Sequence, residues 1–242
     1  METRGRGRPR TSAPTRSGGS TRSEILDAAA ELITTQGFGA TSTRQIADAV
    51  GVRQNVLYHH FASKDDILGT LLEALVRPAL DAAGILSTHP ADDALNRAAR
   101  LYALSLYDAT VLATWKWNLG VLFFLPEAHS AVFDSALTMR QALRQFHVDF
   151  AAEVAEDAGS GPVGDHTFRL VESVANIRAD GKLAPDSPRQ LAGSCLRLAG
   201  WTTSLDHVAD RSGQLLATVD SAVTVTDPRA DAYNRTSGGQ ST

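Results

Sequence analysis

The stretch GVRQNVLYHHF, residues 51–61, sets amides, a phenol and imidazoles side by side with almost no charge. Wound as a short helix, it hides Val52, Val56, Leu57 and Phe61 and turns Gln54, Asn55, Tyr58 and His59 outward. Amides both donate and accept, so Gln54 and Asn55 can grip a base edge in the major groove of a duplex. Tyr58 brings a hydroxyl donor and Lys64 a cation, both suited to phosphate oxygens. Arg44 is the side-chain type that reads guanine in bidentate fashion. The alternative at this point is a solvated polar face on a small helical hairpin.

Presenting such a face takes two short helices held at a fixed angle. Residues 43–50 supply the first, with Ser42 and Gln45 in capping-box relation and Ile46, Ala47 and Val50 on one side. The small Ala47 lets the pair approach closely, and Gly51 can take the left-handed conformation that ends the first helix. This is a helix-turn-helix. Before it, Ile25, Ala29, Leu32, Ile33 and Gln36 follow helical spacing, with Thr21 and Glu24 as the expected cap and Gly37 as the stop. After it, Ser63 and Asp66 start a fourth helix, expected to end at Pro78.

Residues 21–68, TRSEILDAAAELITTQGFGATSTRQIADAVGVRQNVLYHHFASKDDIL, resemble the DNA-binding domain of TetR-family transcriptional regulators. The match runs in register through Ile25, Leu26, Ala28, Ala29, Gly37, Phe38, Thr43, Ile46, Ala47, Gly51, Val52, Leu57, Tyr58, His60, Phe61 and Lys64. The resemblance implies a homodimer on a double-stranded DNA operator, whose larger C-terminal part binds a small-molecule effector and relieves repression. It makes Thr43, Tyr58 and Lys64 backbone contacts, and Arg44, Gln54, Asn55 and His59 the readers of bases. His60 positions the helix or reaches a phosphate. One position departs from the pattern: Arg53 stands where the family commonly has a small hydroxyl capping the recognition helix. That weakens the cap and adds a cation for phosphate.

Charge is distributed unevenly. The net charge of −4 combines an arm carrying Arg4, Arg6, Arg8, Arg10 and Arg16 against Glu2 with an acidic remainder. Residues 21–68 hold four cations (Arg22, Arg44, Arg53, Lys64) against six acids. Counterion release must therefore lean on the arm. Its Arg-Gly-Arg-Pro core resembles an AT-hook, in which Arg6 and Arg8 would enter a narrow minor groove. The alternative is a solvated arm adding non-specific charge.

The expected organisation is all-α: a disordered basic arm at 1–19, a helix-turn-helix domain at 20–66, a helical effector-binding and dimerisation domain at 67–225, and a flexible tail at 226–242. Helical patterns cover about 91–109, 110–124, 127–158, 165–180 and 188–210. Aromatic and polar residues in the middle of the chain are the candidates for an effector pocket: Tyr102, Tyr107, Trp115, Asn118, Phe123, Phe124, His129 and His147. Phe168, Val171, Ile177, Leu191, Cys195, Leu198 and Trp201 are the candidates for a dimer surface, the alternative being an internal core.

Enzyme chemistry finds no support: there is no Gly-x-Ser-x-Gly, no phosphate loop and no His-Glu-x-x-His. The histidines lack metal-ligand spacing, so no metal or cofactor is expected. A lone Cys195, the absence of a signal peptide and the lack of a long apolar run point to a cytoplasmic protein without a membrane span. Two other readings stay open beside a ligand-released repressor. One is an architectural minor-groove binder; the other is a helical small-molecule-binding protein without DNA binding.

Overall fold

The computed structural model describes residues 20–159 and 163–223, apart from the side chains of His129, Asp157 and Val223. The arm with Arg6 and Arg8 and the tail at 226–242 lie outside the described residues. Within them every regular element is helical.

Helix α1 spans Thr21–Gln36. Its cap is Ser20, paired reciprocally with Ser23, one residue earlier than the Thr21 and Glu24 pair expected. With Ser20 as N-cap, the third helical position is Ser23, and Glu24 is buried instead. Gly37 stops the helix at φ 90°, a value few side chains tolerate. Helix α2 (Thr43–Val50) has the expected Ser42–Gln45 capping box and ends on Gly51 in the left-handed conformation, φ 72°. Helix α3 follows at Gln54–His60. Leu57 and Phe61 are fully buried against Ile25, Ile46 and Ile67, which knits α1 to α3 around one small core. Full burial of Phe61 is worth roughly 1.5–3 kcal/mol to this core.

Helix α4 spans Lys64–Ser87 and runs through Pro78 instead of ending there. Proline forfeits one backbone bond, a cost of about 3 kcal/mol in an isolated helix. Here Pro78, Ala79, Ala82 and Ala83 are all buried, so packing carries the helix past the break. The boundary expected at residues 66 and 67 therefore falls inside α4, which belongs to both halves of the molecule.

The C-terminal half wraps around α5 (Ala94–Thr114), which packs on α4, α6, α7, α8 and α9. One helix stands where two were expected at 91–109 and 110–124. It ends at Trp115, where Arg178 collects the carbonyl of Leu112, an orphan acceptor of the helix terminus, and those of Trp115, Lys116 and Trp117 just beyond it. Residues 119–133 then form three short 3₁₀ turns. Helix α6 consequently begins at Asp134, not 127, and runs to Asp157. Helix α7 is His166–Ala179, and α8 is Ser187–Leu198. The helix expected over 188–210 breaks at Gly200, φ 94°, and a separate α9 runs Asp206–Val223.

Candidate functional site

The helix-turn-helix surface is bonded together before any partner arrives. Gln54 Nε2 donates to Thr43 Oγ1 at 2.9 Å, and Thr43 Oγ1 lies 3.2 Å from the Tyr58 hydroxyl. Three residues expected to meet DNA, from the start of α2 and the length of α3, thus form one chain of hydrogen bonds. Tyr58 is half exposed at 49%, so the bond to Thr43 orients a large side chain that otherwise has solvent on most sides. Asn55, His59 and His60 are exposed on the same short helix. Arg53 is its N-cap without a side-chain capping bond, as the departure from the family pattern implied. Arg44 is held only loosely by Asp48, at 3.9 Å with both side chains largely in solvent, which leaves it free to reorient.

Two of these residues are conditioned by the protein around them. Lys64 turns inward: its ammonium donates to the carbonyls of Phe38 at 2.7 Å and Thr41 at 2.8 Å and sits 4.0 Å from the centre of the Phe38 ring. It fastens the α1–α2 loop to α4, so its evident work is positional, with two of three donors spent inside the protein. Burial, Arg22 and His59 together hold the His60 imidazole below its ordinary value. His60 therefore stays neutral around pH 7 and adds no charge toward phosphate.

In the C-terminal half, a cavity opens between α4, α5, α6, α7 and the first 3₁₀ turn. Its volume is about 30 Å³, and its mouth is open to solvent. Leu75, Val76, Leu112, Leu143, Phe123 and Phe168 make its apolar wall. Its charged groups are Asp108, Arg140 and Glu172. Arg140 donates to Glu172 Oε1 through Nε at 2.8 Å and through Nη2, and Arg169 takes the other oxygen at 3.1 Å. Arg140 also lies 5.1 Å from the Phe123 ring and 5.2 Å from the Phe168 ring. Asp108 is bonded to the fully buried His147, Nε2 to Oδ2 at 3.1 Å.

Of the pocket candidates, Phe123 lines this cavity and His147 stands behind it. Tyr102 is buried beside Arg189 and Asp186 at the start of α8, and Tyr107 faces Asp81 and Asp220; burial pushes both phenols up. Asn118 Nδ2 donates to the Ala175 carbonyl, fixing the turn to α7. Trp115 packs half-buried on the core, while Phe124 is half exposed. The His129 side chain lies outside the description. Asp108, Arg140 and Glu172 were missed, although an acid inside the apolar run YALSLYDATVLA was a visible signal.

The dimer candidates need correction. Val171 and Cys195 are fully buried, and Phe168 and Leu191 nearly so. They form the interior of one chain, because α5 fills the groove between α7 and α8. Phe168 is a cavity wall. Burial pushes the Cys195 thiol up to about 11. Leu198 is exposed at 46%; Ile177 and Trp201 are partly buried.

The cavity and the helix-turn-helix domain are physically joined. Gly120 presses on α7 so closely that a Cβ there would meet the Ala175 Cβ at 2.7 Å. Just before it, Lys116 Nζ pairs with Asp27 of α1 at 2.9 Å, and Trp117 Nε1 donates to the same carboxylate at 2.8 Å. One short turn therefore carries both a cavity wall and an anchor on α1.

Among the described residues no group of histidine, cysteine and acidic side chains is placed to hold a metal ion, and no helix is long and apolar enough to cross a membrane.

With this geometry in hand, residues 25–71 match the family model for bacterial regulatory proteins of the tetR family. The crystal structure of Mycobacterium smegmatis AmtR is similar over 85% of this chain and 98% of its own, at 43% identity and a TM-score of 0.80. The transcriptional repressor KstR2 of Mycobacterium tuberculosis is 42% identical over 57 residues, 24% of this chain and 28% of that protein. This chain thus spans just over a quarter of the length of the curated relatives it matches first. The solved structure of the ketosteroid transcriptional regulator KstR2 shares the fold, with 23% identity and a TM-score of 0.58. The chain belongs to the TetR family of bacterial transcriptional regulators, with the family's helix-turn-helix DNA-binding domain at its N-terminal end.

Proposed function

We propose that the protein is a homodimeric, sequence-specific DNA-binding repressor, released from its operator by a small-molecule effector. The observation that carries DNA binding is the bonded trio of Thr43, Gln54 and Tyr58 on an otherwise uncharged helix face. In this reading Thr43 and Tyr58 contact backbone, and Gln54, Asn55, His59 and Arg44 read bases. Lys64 acts through the loop it fastens. Arg53 supplies a phosphate contact, and Arg6 and Arg8 a minor-groove one.

In this reading dimerisation uses the outward surface at the end of α8 and the link to α9, where Leu198 and Trp201 stand. Two helix-turn-helix units must be held about one DNA turn apart to read a palindrome. The effector enters the α4–α7 cavity and moves the 115–120 turn. Its anchor on Asp27 and the continuity of α4 carry that movement to α1 and the recognition helix. A near-complete switch needs the effector to favour the non-binding spacing by several kcal/mol.

The test is a footprint and titration on DNA flanking the protein's own gene, with excess non-specific competitor. A protected, roughly palindromic site lost on Tyr58→Ala is the expected result. Binding that competitor abolishes would replace this reading with an architectural one. Deleting residues 2–16 should weaken binding and flatten its salt dependence; an unchanged slope would remove the arm from the mechanism.

A further inference from the structure

Helix α1 carries the recognition unit on its back. Helices α2 and α3 pack on α1 and on each other, while α1 meets the C-terminal half chiefly at α4 and at the first 3₁₀ turn, Leu119–Phe124. Contact along α4 alone would let the unit rock about that helix. A second contact to one side removes the freedom, and it lies just before the turn, where Lys116 Nζ and Trp117 Nε1 both reach the Asp27 carboxylate. What fixes those two residues is α7. Arg178, in its last turn, donates through Nη1 to the carbonyls of Leu112 at 3.2 Å and Trp117 at 3.5 Å. Through Nη2 it donates to those of Trp115 and Lys116. Asn118 Nδ2 donates to the Ala175 carbonyl at 2.8 Å, and Gly120 abuts Ala175 where no Cβ fits. Residues 115–120 are delivered by α5 but move with α7.

We propose that residues 115–120 are a strap by which α7 sets the position of α1, with Arg178 and Asp27 at its two ends as positioning residues for DNA binding. The strap serves the DNA-binding reading above and needs no ligand in the cavity. Through it a displacement of α7 reaches the recognition helix without any change in α4. The planar fork of arginine serves four carbonyls at once; a lysine ammonium carries its three donors on one atom and cannot span from Leu112 to Trp117. At the α1 end the Lys116 side chain is 61% exposed, so its ion pair gains little alone. The indole bond to a charged acceptor is the firmer hold. A palindrome is bound when both recognition helices sit about one DNA turn apart. Rocking of α1 lowers the fraction of molecules in that arrangement and weakens binding in proportion. A lone half-site needs one recognition helix and is indifferent to the rocking.

The experiment uses the full chain with Trp117→Phe, Arg178→Lys and the two combined. Each is titrated against the footprinted palindrome and against DNA carrying one half-site. Trp117→Phe and Arg178→Lys should each weaken palindrome binding by about tenfold, the weight of one hydrogen bond to a charged group, and leave half-site binding unchanged. The combined variant should be no weaker than the worse single one, because both cut the same strap. A second readout needs no DNA. The Trp117 indole N–H resonance, assigned by its loss in Trp117→Phe, should shift in Arg178→Lys while that of Trp201 stays in place. An unmoved Trp117 signal, equal losses on palindrome and half-site, or effects that multiply in the combined variant would each overturn the proposal. An unaltered chain that binds neither DNA would instead sink the DNA-binding reading, and the indole signal would still decide whether α7 holds α1.

Discussion

The N-terminal end and the middle of α4 sit in opposite electrostatic designs. At its N-terminal end, the helix-turn-helix domain keeps an apolar centre and turns its hydrogen-bonding groups outward, where Thr43, Gln54 and Tyr58 support one another in solvent. Around its middle, the C-terminal half buries charge: Asp108 with His147, and Arg140 with Glu172, flank a cavity that is otherwise hydrocarbon. A surface network gains little net energy but sets geometry, which suits a face that must match a rigid duplex. A buried network is costly unless complete, and Nδ1 of the buried His147 has no hydrogen-bond partner among the described residues. The comparison teaches that the first site is a preformed shape and the second an unfinished set of bonds.

The comparison can be broken most severely at the small core. Phe61→Ala should cost the DNA-binding end about 3–5 kcal/mol and abolish operator binding, seen as an early unfolding transition with the C-terminal half still helical. A single, unshifted transition would show that the core is not the support described. Next in size, Arg140→Ala leaves Glu172 at the cavity with Arg169 alone and should cost up to about 3 kcal/mol in denaturant unfolding. Arg140→Met should recover part of that, since the ring contacts survive. Equal losses in both would mean that charge alone matters at this wall.

Arg44→Ala should then separate specific from non-specific binding. A guanine contact is worth about 1–3 kcal/mol, so operator affinity falls while affinity for competitor DNA hardly moves; a parallel fall in both would reassign Arg44 to the backbone. Gly51→Ala is expected to lose about 1–2 kcal/mol, because φ 72° becomes strained once a Cβ is present, and its reading is a lowered Tm. The smallest effect concerns protons. The folded-state value of His60 is depressed below 6.5, so its contribution to stability is present above the unfolded value and is lost as pH falls through the folded one. An NMR titration should place its midpoint below the ordinary histidine value of 6.5.

Much of the DNA-binding end was legible because its signals are local. Ser42 with Gln45, Gly51 at the turn, and the spacing of Ile46, Leu57 and Phe61 concern residues within a few turns of each other, where backbone geometry alone dictates who meets whom. The exceptions are instructive. Pro78 reads as a stop, and only burial of its flank lets α4 continue. Lys64 reads as a phosphate ligand, but the carbonyls of Phe38 and Thr41 reach it first, from 26 and 23 residues away.

The C-terminal half was legible as helical and little further. Its aromatic residues identified a region, yet Tyr102, Tyr107 and Trp115 spend their surface between helices, while the charged cavity residues come from α5, α6 and α7. Phe168 and Cys195 carry small and large apolar side chains at helical spacing, a pattern that an internal groove and a dimer face share. Which of the two they occupy depends on what packs opposite, and α5 does.

What the sequence determined by itself is the helical class, the helix-turn-helix and the side chains offered by its outward face, all set by capping, glycine conformation and apolar period. What the tertiary structure alone decided is where α5 ends, that α4 joins both halves, and that Asp108 and His147 face one another beside a cavity. Those outcomes turn on contacts between residues as far apart as Leu112 and Arg178 or Asp108 and His147, and the strength of a buried charge depends on surroundings that no local pattern specifies.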